Sequence, residues 1–466
     1  MPTRITIICN ANQTLRSTFL LPCPSLPAIH KAARDKLRLK KPTRVFLAGG
    51  TEIPDEQTLA TYLQNGAEFH ISCDEDFIGI KKVDSATEQA ADVEIRVICK
   101  EAYVDPVSVT QLRATGRMRG MKQVVGMPDL HPGIKFPVGA VFVSEGWIHP
   151  PLIGGDIGCG MAVYRIPSLR ARDVASESDV RKLADRLVGV EGAWPEEEGN
   201  VAAFLAGYLS ALEIAQVSKW EGSLGTIGGG NHFAELQQIT TSTSPDLAVD
   251  EIVLVVHSGS RGLGKQILEE AEEEYEADSL WGNEYLRKHD VACRWAKANR
   301  DLIALRFLRR IFRQPELSTD DVRACKVLDI WHNNIESRSD GTYIHRKGAA
   351  PATTNLVIIP GSRGTLSAYV RPTPTPAMGF SLAHGAGRAQ SRTACLKKLA
   401  KRYRPEELRK TRLGGWVVCE DRELIFEEAP EGYKEIEGVV ADLVGEGACE
   451  VVAWGMPRIS YKVRVE

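Results

Sequence analysis

Short apolar runs separated by turn residues fill the chain up to residue 78. Arg4-Ile-Thr-Ile-Ile reads as a strand, Phe19 to Leu21 as its hairpin partner, and Leu26 to Leu37 as a helix. Arg44-Val-Phe-Leu-Ala-Gly-Gly-Thr-Glu-Ile-Pro-Asp then reads as a strand and turn, and Glu68-Phe-His-Ile-Ser as a closing strand, which makes the order ββαββ. The polar, acidic stretch Lys81 to Asp92 breaks this pattern, so 79–92 is expected to link a small domain at 1–78 to a larger one at 93–466. Beyond the break, apolar strands with glycine turns (Val124 to Val143, Glu251 to Val256, Leu356 to Pro360) mix with helical stretches at 169–190, 264–313 and 319–335. An α+β fold is expected, with polar residues gathered on loops at one end of a sheet.

Composition narrows the class. With 466 residues, 43% hydrophobic and 26% charged, the chain can bury large cores in two or three domains. No run of about eighteen uncharged apolar residues occurs, and the start, Met1-Pro-Thr-Arg-Ile-Thr-Ile-Ile-Cys9, is too short in apolar residues for a signal peptide. An intracellular protein is expected, cytoplasmic first and nuclear second, with no membrane partner. Ten cysteines without a Cys-x-x-Cys spacing fit reduced thiols. A formal charge of −3 offers no global field for nucleic acid, so such a partner needs a local basic patch. Arg388, Arg392, Lys397, Lys398 and Lys401 begin a run that continues to Arg412, opposed only by Glu406 and Glu407. It reads either as a solvated helix face or as a contact for an RNA backbone.

The candidate chemistry lies in glycine-rich turns: His131-Pro-Gly, Gly-Gly-Gly-Asn231-His232, His257-Ser-Gly-Ser-Arg-Gly, His345-Arg-Lys-Gly and His384-Gly-Ala-Gly-Arg388, with His332-Asn333 on an expected helix. Glycine lets backbone approach a ligand closely, and neutral imidazole serves as metal ligand or nucleophile. Gly259-Ser-Arg-Gly-Leu-Gly-Lys265 imitates a P-loop, but Gln266 lacks the hydroxyl that ligates Mg²⁺. A metal centre accounts for the same residues better. Asp156, Cys159, His232, His257 and His332 combine carboxylate, thiolate and imidazole, enough for two cations if the thiolate bridges them, although any one of them alone is more often structural.

Two resemblances follow. The ββαββ order and the segment around Val45 to Ile53 resemble ubiquitin-like β-grasp domains; without a diglycine tail, the domain is expected to be a docking or folding module. From residue 93 onward, Pro128-Asp-Leu-His131-Pro-Gly, Gly155-Asp156-Ile-Gly-Cys159-Gly-Met, Gly228-Gly-Gly-Asn231-His232-Phe-Ala-Glu235, His257-Ser-Gly-Ser-Arg-Gly, His332-Asn333, His345-Arg-Lys-Gly-Ala, Pro360-Gly-Ser362-Arg-Gly-Thr and His384-Gly-Ala-Gly-Arg388 stand in the order found in the RtcB family of RNA ligases, which this region resembles. The resemblance implies a GTP- and Mn²⁺-dependent ligase joining an RNA 3′-phosphate or 2′,3′-cyclic phosphate to a 5′-hydroxyl, in tRNA splicing or RNA repair. It makes His384 the nucleophile that becomes guanylylated. Cys159 would bridge two Mn²⁺ ions, with His232 and His257 on one and Asp156 and His332 on the other. Asn231, Phe233, Glu235, Ser362, Ser367 and Ala386 fall at the guanine-nucleotide site, and Lys462 stands where a guanine-binding lysine is expected.

Three features depart from the family's pattern. Arg363 replaces a common methionine, and its loop is expected to make an extra phosphate or RNA contact. The terminal Lys-Gly is missing, so Lys462 is matched in uncertain register, and the N-terminal domain lies outside the common core. By ligand softness, Cys with His suits Zn²⁺; Mn²⁺ follows from the resemblance alone. Two other readings remain: a catalytically idle RNA-end-binding scaffold that recruits a protein partner or accessory activator, and a phosphodiesterase that only opens cyclic phosphates.

Overall fold

The computed structural model describes residues 3–12, 15–22, 25–47, 50–63, 67–78, 93–194 and 200–464. The linker expected at 79–92 lies outside them. The chain divides into two units, Met1–Gln89 and Ala90–Glu466.

In the first unit a sheet runs in the order Arg16–Leu21, Thr3–Cys9, Ala67–Ser72, Arg44–Leu47. Its central pair is parallel, with Ile7 opposite Phe69, and the outer pairs are antiparallel. Period-2 alternation sends Ile5, Ile7, Phe69 and Ile71 to one face, where they meet Ile29, Ala33 and Leu37 of helix Leu26–Leu37. Ser25 caps that helix by accepting the Ala28 N–H. A second, short helix, Glu56–Tyr62, is absent from the expected ββαββ order; Asp55 caps it and it buries Leu59.

The second unit is built on two sheets. The larger runs Lys326–Trp331, Gly160–Arg170, Glu251–Ser258, Phe233–Ser242, Cys449–Tyr461, Ser367–Pro372, Val357–Ile359, all antiparallel, with Trp416–Val418 added parallel to Cys449–Tyr461. Ile252, Leu254 and Val256 enter one core and Val253 and Val255 another, so the sheet is covered on both faces. That is why Ile252 to Val256 reads as an unbroken apolar run. The smaller sheet runs Asn333–Ser337, Thr342–Lys347, Val138–Glu145, Met121–His131, Glu94–Val97. Helix Leu280–Phe312 buries Trp295, Leu302 and Ile303 in the first of these cores.

Three expected helices are corrected. The stretch 264–313 is two helices, Gly262–Glu269 and Leu280–Phe312, parted by a run of like charges at Glu270 to Glu274 and restarted by the Ser279 cap. At 169–190, strand Gly160–Arg170 extends through Leu169 and the helix is only Glu177–Asp185, begun by Ser176. At 319–335, the helix ends at Ala324, and Lys326–Trp331 is a strand, as the β-formers Val327, Ile330 and Trp331 favour. His332 is therefore not on a helix. It is the single residue between Lys326–Trp331 of the larger sheet and Asn333–Ser337 of the smaller one. Among the described residues, no helix is long and apolar enough to cross a membrane.

Candidate active site

Neighbouring strand ends bring the candidate ligands together. Cys159 directly precedes Gly160–Arg170, His232 precedes Phe233–Ser242, His257 is the next-to-last residue of Glu251–Ser258, and His332 follows Lys326–Trp331. Pairing aligns Phe233 with His257, His257 with Met161, and Gly160 with Trp331. Cys159 Sγ consequently lies 3.4 Å from His232 Nε2, 3.2 Å from His257 Nε2 and 3.3 Å from His332 Nε2. Asp156 Oδ2 is 2.8 Å from His232 Nε2. The donor atoms close to within 4.8 Å in two sets that share Cys159: Cys159 with His257 and His332, and Asp156 with Cys159 and His232. Within the cluster His232 turns toward Asp156, and His257 Nε2 lies 3.2 Å from His332 Nε2.

Glycine is required in these turns. Gly158 has φ +74°, and a Cβ there would stand 2.8 Å from Cys293 Cα; a Cβ at Gly259 would stand 2.0 Å from Asp156 Oδ1.

The electrostatics suit cation binding. Burial and the neighbouring Asp156 carboxylate push the Cys159 thiol well above its ordinary range, so a thiolate here calls for a positive partner. Burial holds His257 and His332 far below the usual imidazole range, leaving them neutral as ligands must be. His232 Nδ1 donates to the Ile227 carbonyl at 2.9 Å, which fixes Nε2 as its ligating atom. Asn333 donates to the Asp156 carbonyl at 3.3 Å and accepts from Gly348 N–H at 2.8 Å, steadying that loop. One carboxylate, one thiol and three imidazoles facing one centre fit a pair of divalent cations by donor chemistry.

His384 follows strand Ser381–Ala383. Its Nδ1 is 2.7 Å from Asp129 Oδ2, its backbone N–H donates to the same oxygen at 3.3 Å, and its ring lies 4.7 Å from the His332 ring, centre to centre. With Nδ1 held by a buried carboxylate, Nε2 is the open nitrogen, and it has no hydrogen-bond partner among the described residues. Asp129 was missed by sequence reasoning. Its signal was a carboxylate inside the buried run Val124 to Leu130. His131 in the same motif is structural: its Nδ1 bonds the Asp129 carbonyl at 2.8 Å, and burial lowers it to about 4.

The expected nucleotide residues gather next to this centre. Strand Cys449–Tyr461 sets Ser460 opposite Glu235, where its hydroxyl donates to the carboxylate. Gln237 donates to Glu235 at 2.8 Å and to Ser367 at 2.9 Å. Ala386 N–H bonds the Pro360 carbonyl at 2.9 Å, tying the His384 turn to the loop of Ser362. Lys462 reaches the same place: its Nζ donates to the carbonyls of Asn231 and His232 at 3.4 and 3.3 Å, pairs with Glu428 at 3.2 Å, and lies 5.7 Å from the Phe233 ring centre.

Glu428, also missed, is fully buried and binds Arg388 at 3.0 Å and Arg392 at 3.1 Å as well as Lys462. Arg363 is buried and donates through Nη2 to the Ile425 carbonyl at 2.7 Å, while its Nη1 has no hydrogen-bond partner among the described residues. One expectation changes here. The basic run is not one long helix, since its helix covers only Arg392–Leu399. Arg388 faces inward, whereas Lys397, Lys398 and Lys401 are exposed.

Fold and site define a class: an α+β protein whose strand ends join a donor set that could hold metal ions to an imidazole oriented by a buried carboxylate. The family model described as tRNA-splicing ligase RtcB matches residues 111–203 and 194–463. RNA-splicing ligase RtcB2 of Escherichia coli is 39% identical over 386 residues, which cover 80% of this chain and 96% of that protein. The tRNA-splicing ligase RtcB of Archaeoglobus fulgidus is 31% identical over 421 residues, 70% of this chain and 85% of its own. RNA-splicing ligase RtcB of Escherichia coli K12 is 29% identical over 397 residues, 74% and 92%. The chain belongs to the RtcB family of RNA ligases.

Proposed function

We propose that the chain ligates RNA 3′-phosphate or 2′,3′-cyclic phosphate ends to 5′-hydroxyl ends, using GTP and two Mn²⁺ ions, through a guanylylated His384. The observation that carries this reading is the oriented imidazole: Asp129 holds Nδ1, and Nε2 stands open beside the ligand His332. Ions bound by Asp156, Cys159, His232, His257 and His332 would offset the negative charge of phosphate oxygens. The His384 Nε2 lone pair attacks the α-phosphorus of GTP, and pyrophosphate leaves as the P–N bond forms. Asp129 stabilises the imidazolium produced, as an orienting carboxylate does. A 2′,3′-cyclic end is first opened by water, which breaks the P–O2′ bond and leaves a 3′-phosphate; an oxygen of the RNA 3′-phosphate then attacks the same phosphorus of the guanylyl group, breaking P–N and restoring the imidazole. The 5′-hydroxyl finally attacks the RNA phosphorus, GMP leaves, and the hydroxyl proton passes to solvent. Glu235, with Asn231, Phe233, Ser362, Ser367, Ala386 and Lys462, would hold the guanine nucleotide, and Lys397, Lys398 and Lys401 the RNA backbone.

The test is incubation with GTP labelled at the α-phosphate and Mn²⁺. A protein-bound label that is acid-labile and base-stable is expected. No label rejects the reading in favour of an idle binder or a phosphodiesterase, and a base-labile label rejects a histidine as the nucleophile. The strand order of the first unit supports a ubiquitin-like docking module, and every candidate catalytic residue follows residue 92, which supports its being dispensable for chemistry. A chain starting at Val93 should still take up the label; a cooperatively melting fragment that does not would overturn this.

A further inference from the structure

Helix Leu280–Phe312 carries three consecutive polar residues, Asn299, Arg300 and Asp301, each 0% exposed. Burying an arginine costs several kcal/mol unless every donor is matched, so the partners show what it is there for. Arg300 Nη1 donates to the Gly158 carbonyl at 3.0 Å and the Ser258 carbonyl at 2.8 Å, while Nε and Nη2 hold Asp329 Oδ1 at 2.9 and 2.6 Å. Gly158 precedes Cys159, Ser258 follows His257, and Asp329 lies on the strand that ends beside His332. One planar guanidinium thus joins the segments of three ligands. Asn299 extends the grip: its Nδ2 donates to the Thr226 carbonyl at 3.1 Å, Ser258 Oγ at 3.1 Å and the Gly259 carbonyl at 3.2 Å, and its Oδ1 accepts from Gly225 N–H at 2.7 Å. Those segments lead into His232 and out of His257. Asp301 turns elsewhere, to Tyr164 at 2.6 Å and Lys326 at 2.6 Å.

We propose that Arg300 and Asn299 are positioning residues of the metal centre, holding Cys159, His257 and His332 at ligating distance before an ion arrives. The inference rests on the reading that this cluster binds divalent cations. Neither side chain touches ion or substrate. Each acts by removing the freedom of a ligand-bearing turn, so that binding does not have to order it. Arginine suits the place because its rigid fork reaches two carbonyls and a carboxylate at once, which the single ammonium of lysine cannot do.

The probe is Co²⁺ alone, titrated into the chelator-treated full-length chain and followed by the thiolate-to-cobalt absorption band that reports Cys159 ligation. Arg300→Lys is expected to weaken Co²⁺ binding about 10–100-fold and to shift or abolish that band. Tyr164→Phe, which removes a buried bond to Asp301 on the same helix, is expected to lower the melting temperature while leaving affinity and band as in wild type. Wild-type affinity and band in Arg300→Lys would refute the positioning role and leave the metal reading standing. A wild-type chain that shows no thiolate band would refute both. If Arg300→Lys does not fold, Asn299→Ser decides by the same two readouts.

Discussion

Around His345 both ring nitrogens have backbone partners. Nε2 accepts the His149 N–H at 3.0 Å, Nδ1 pairs with the Phe142 carbonyl at 3.3 Å, and burial lowers the ring to about 3. Around His384 one nitrogen is held by Asp129 and the other is open. The same division separates two buried carboxylates. Glu428 is surrounded by Lys462, Arg388, Arg392 and Tyr433; its cationic neighbours and the Tyr433 hydrogen bond outweigh burial and hold it at about 2. Glu235 has only hydroxyl and amide donors, and burial raises it to about 7. A histidine with both nitrogens held maintains the fold, and one with an open nitrogen is available to a ligand; Glu235, although each of its oxygens accepts a hydrogen bond, lacks the ion pairs that neutralise Glu428. Function therefore follows from what a residue's partners leave uncompensated and not from its burial, which all four share.

The largest effect tests the two histidines. His384→Ala should take up no GMP and ligate no 3′-phosphate RNA, yet still join RNA already ending in 3′-ppG, since the nucleophile acts only before that stage. His345→Ala should keep the label and lose about 1–3 kcal/mol of stability, because it strands buried backbone groups. Acid-labile GMP on His384→Ala would reverse the assignment.

Next comes the carboxylate that makes His384 open on one side. Asp129→Asn preserves shape but not charge, and its amide can turn to donate to Nδ1, which moves the ring proton to Nε2. Guanylylation should slow on the order of 10³–10⁴-fold, with the Michaelis constant for GTP little changed. A loss under tenfold would mean that the Nδ1 contact does not set the tautomer.

Glu235 tests the comparison through pH. Its folded pKa of about 7 lies above the ordinary carboxylate value of 4.5, mainly through burial. Its contribution to stability is therefore present below pH 4.5 and is lost as pH rises to 7, about 3 kcal/mol in all. Glu235→Gln should remove this fall from urea titrations taken at pH 5 and pH 8. GTP capture should run the other way and weaken below pH 7, because the protonated acid is a poorer acceptor for guanine N–H donors. A wild-type stability profile in Glu235→Gln would show that the carboxyl titrates normally.

How much of this was legible beforehand depended on distance along the chain. Cys159, His232, His257, His332 and His384 could be found because glycine or asparagine marks each turn locally. Asp129 could not be paired with His384 because 255 residues separate them. Asn299 and Arg300 looked like ordinary polar positions in a long helix, and nothing nearby in sequence shows that they face the turns of Cys159 and His257. The helix expected at 319–335 failed because one period was averaged over two elements, a short capped helix and a strand of β-formers. In the first unit, helix Glu56–Tyr62 is too short to establish a period of its own.

The smallest effect concerns the basic run, which divides in the same way. Arg388 donates to Glu428 at 3.0 Å, the Glu427 carbonyl at 2.8 Å and the Gln390 carbonyl at 3.0 Å, and is closed. Lys397, Lys398 and Lys401 are exposed and form no ion pair among the described residues. If they follow an RNA backbone, changing all three to Gln releases fewer counterions on binding. The slope of log affinity against log salt should then flatten by up to about 2, at roughly 0.7 per single-strand phosphate contact. Self-guanylylation should be untouched, because it needs no RNA and the lysines lie outside the His384 turn. An unchanged slope would make these lysines a solvated face, and RNA would have to be sought on the open groups nearer His384.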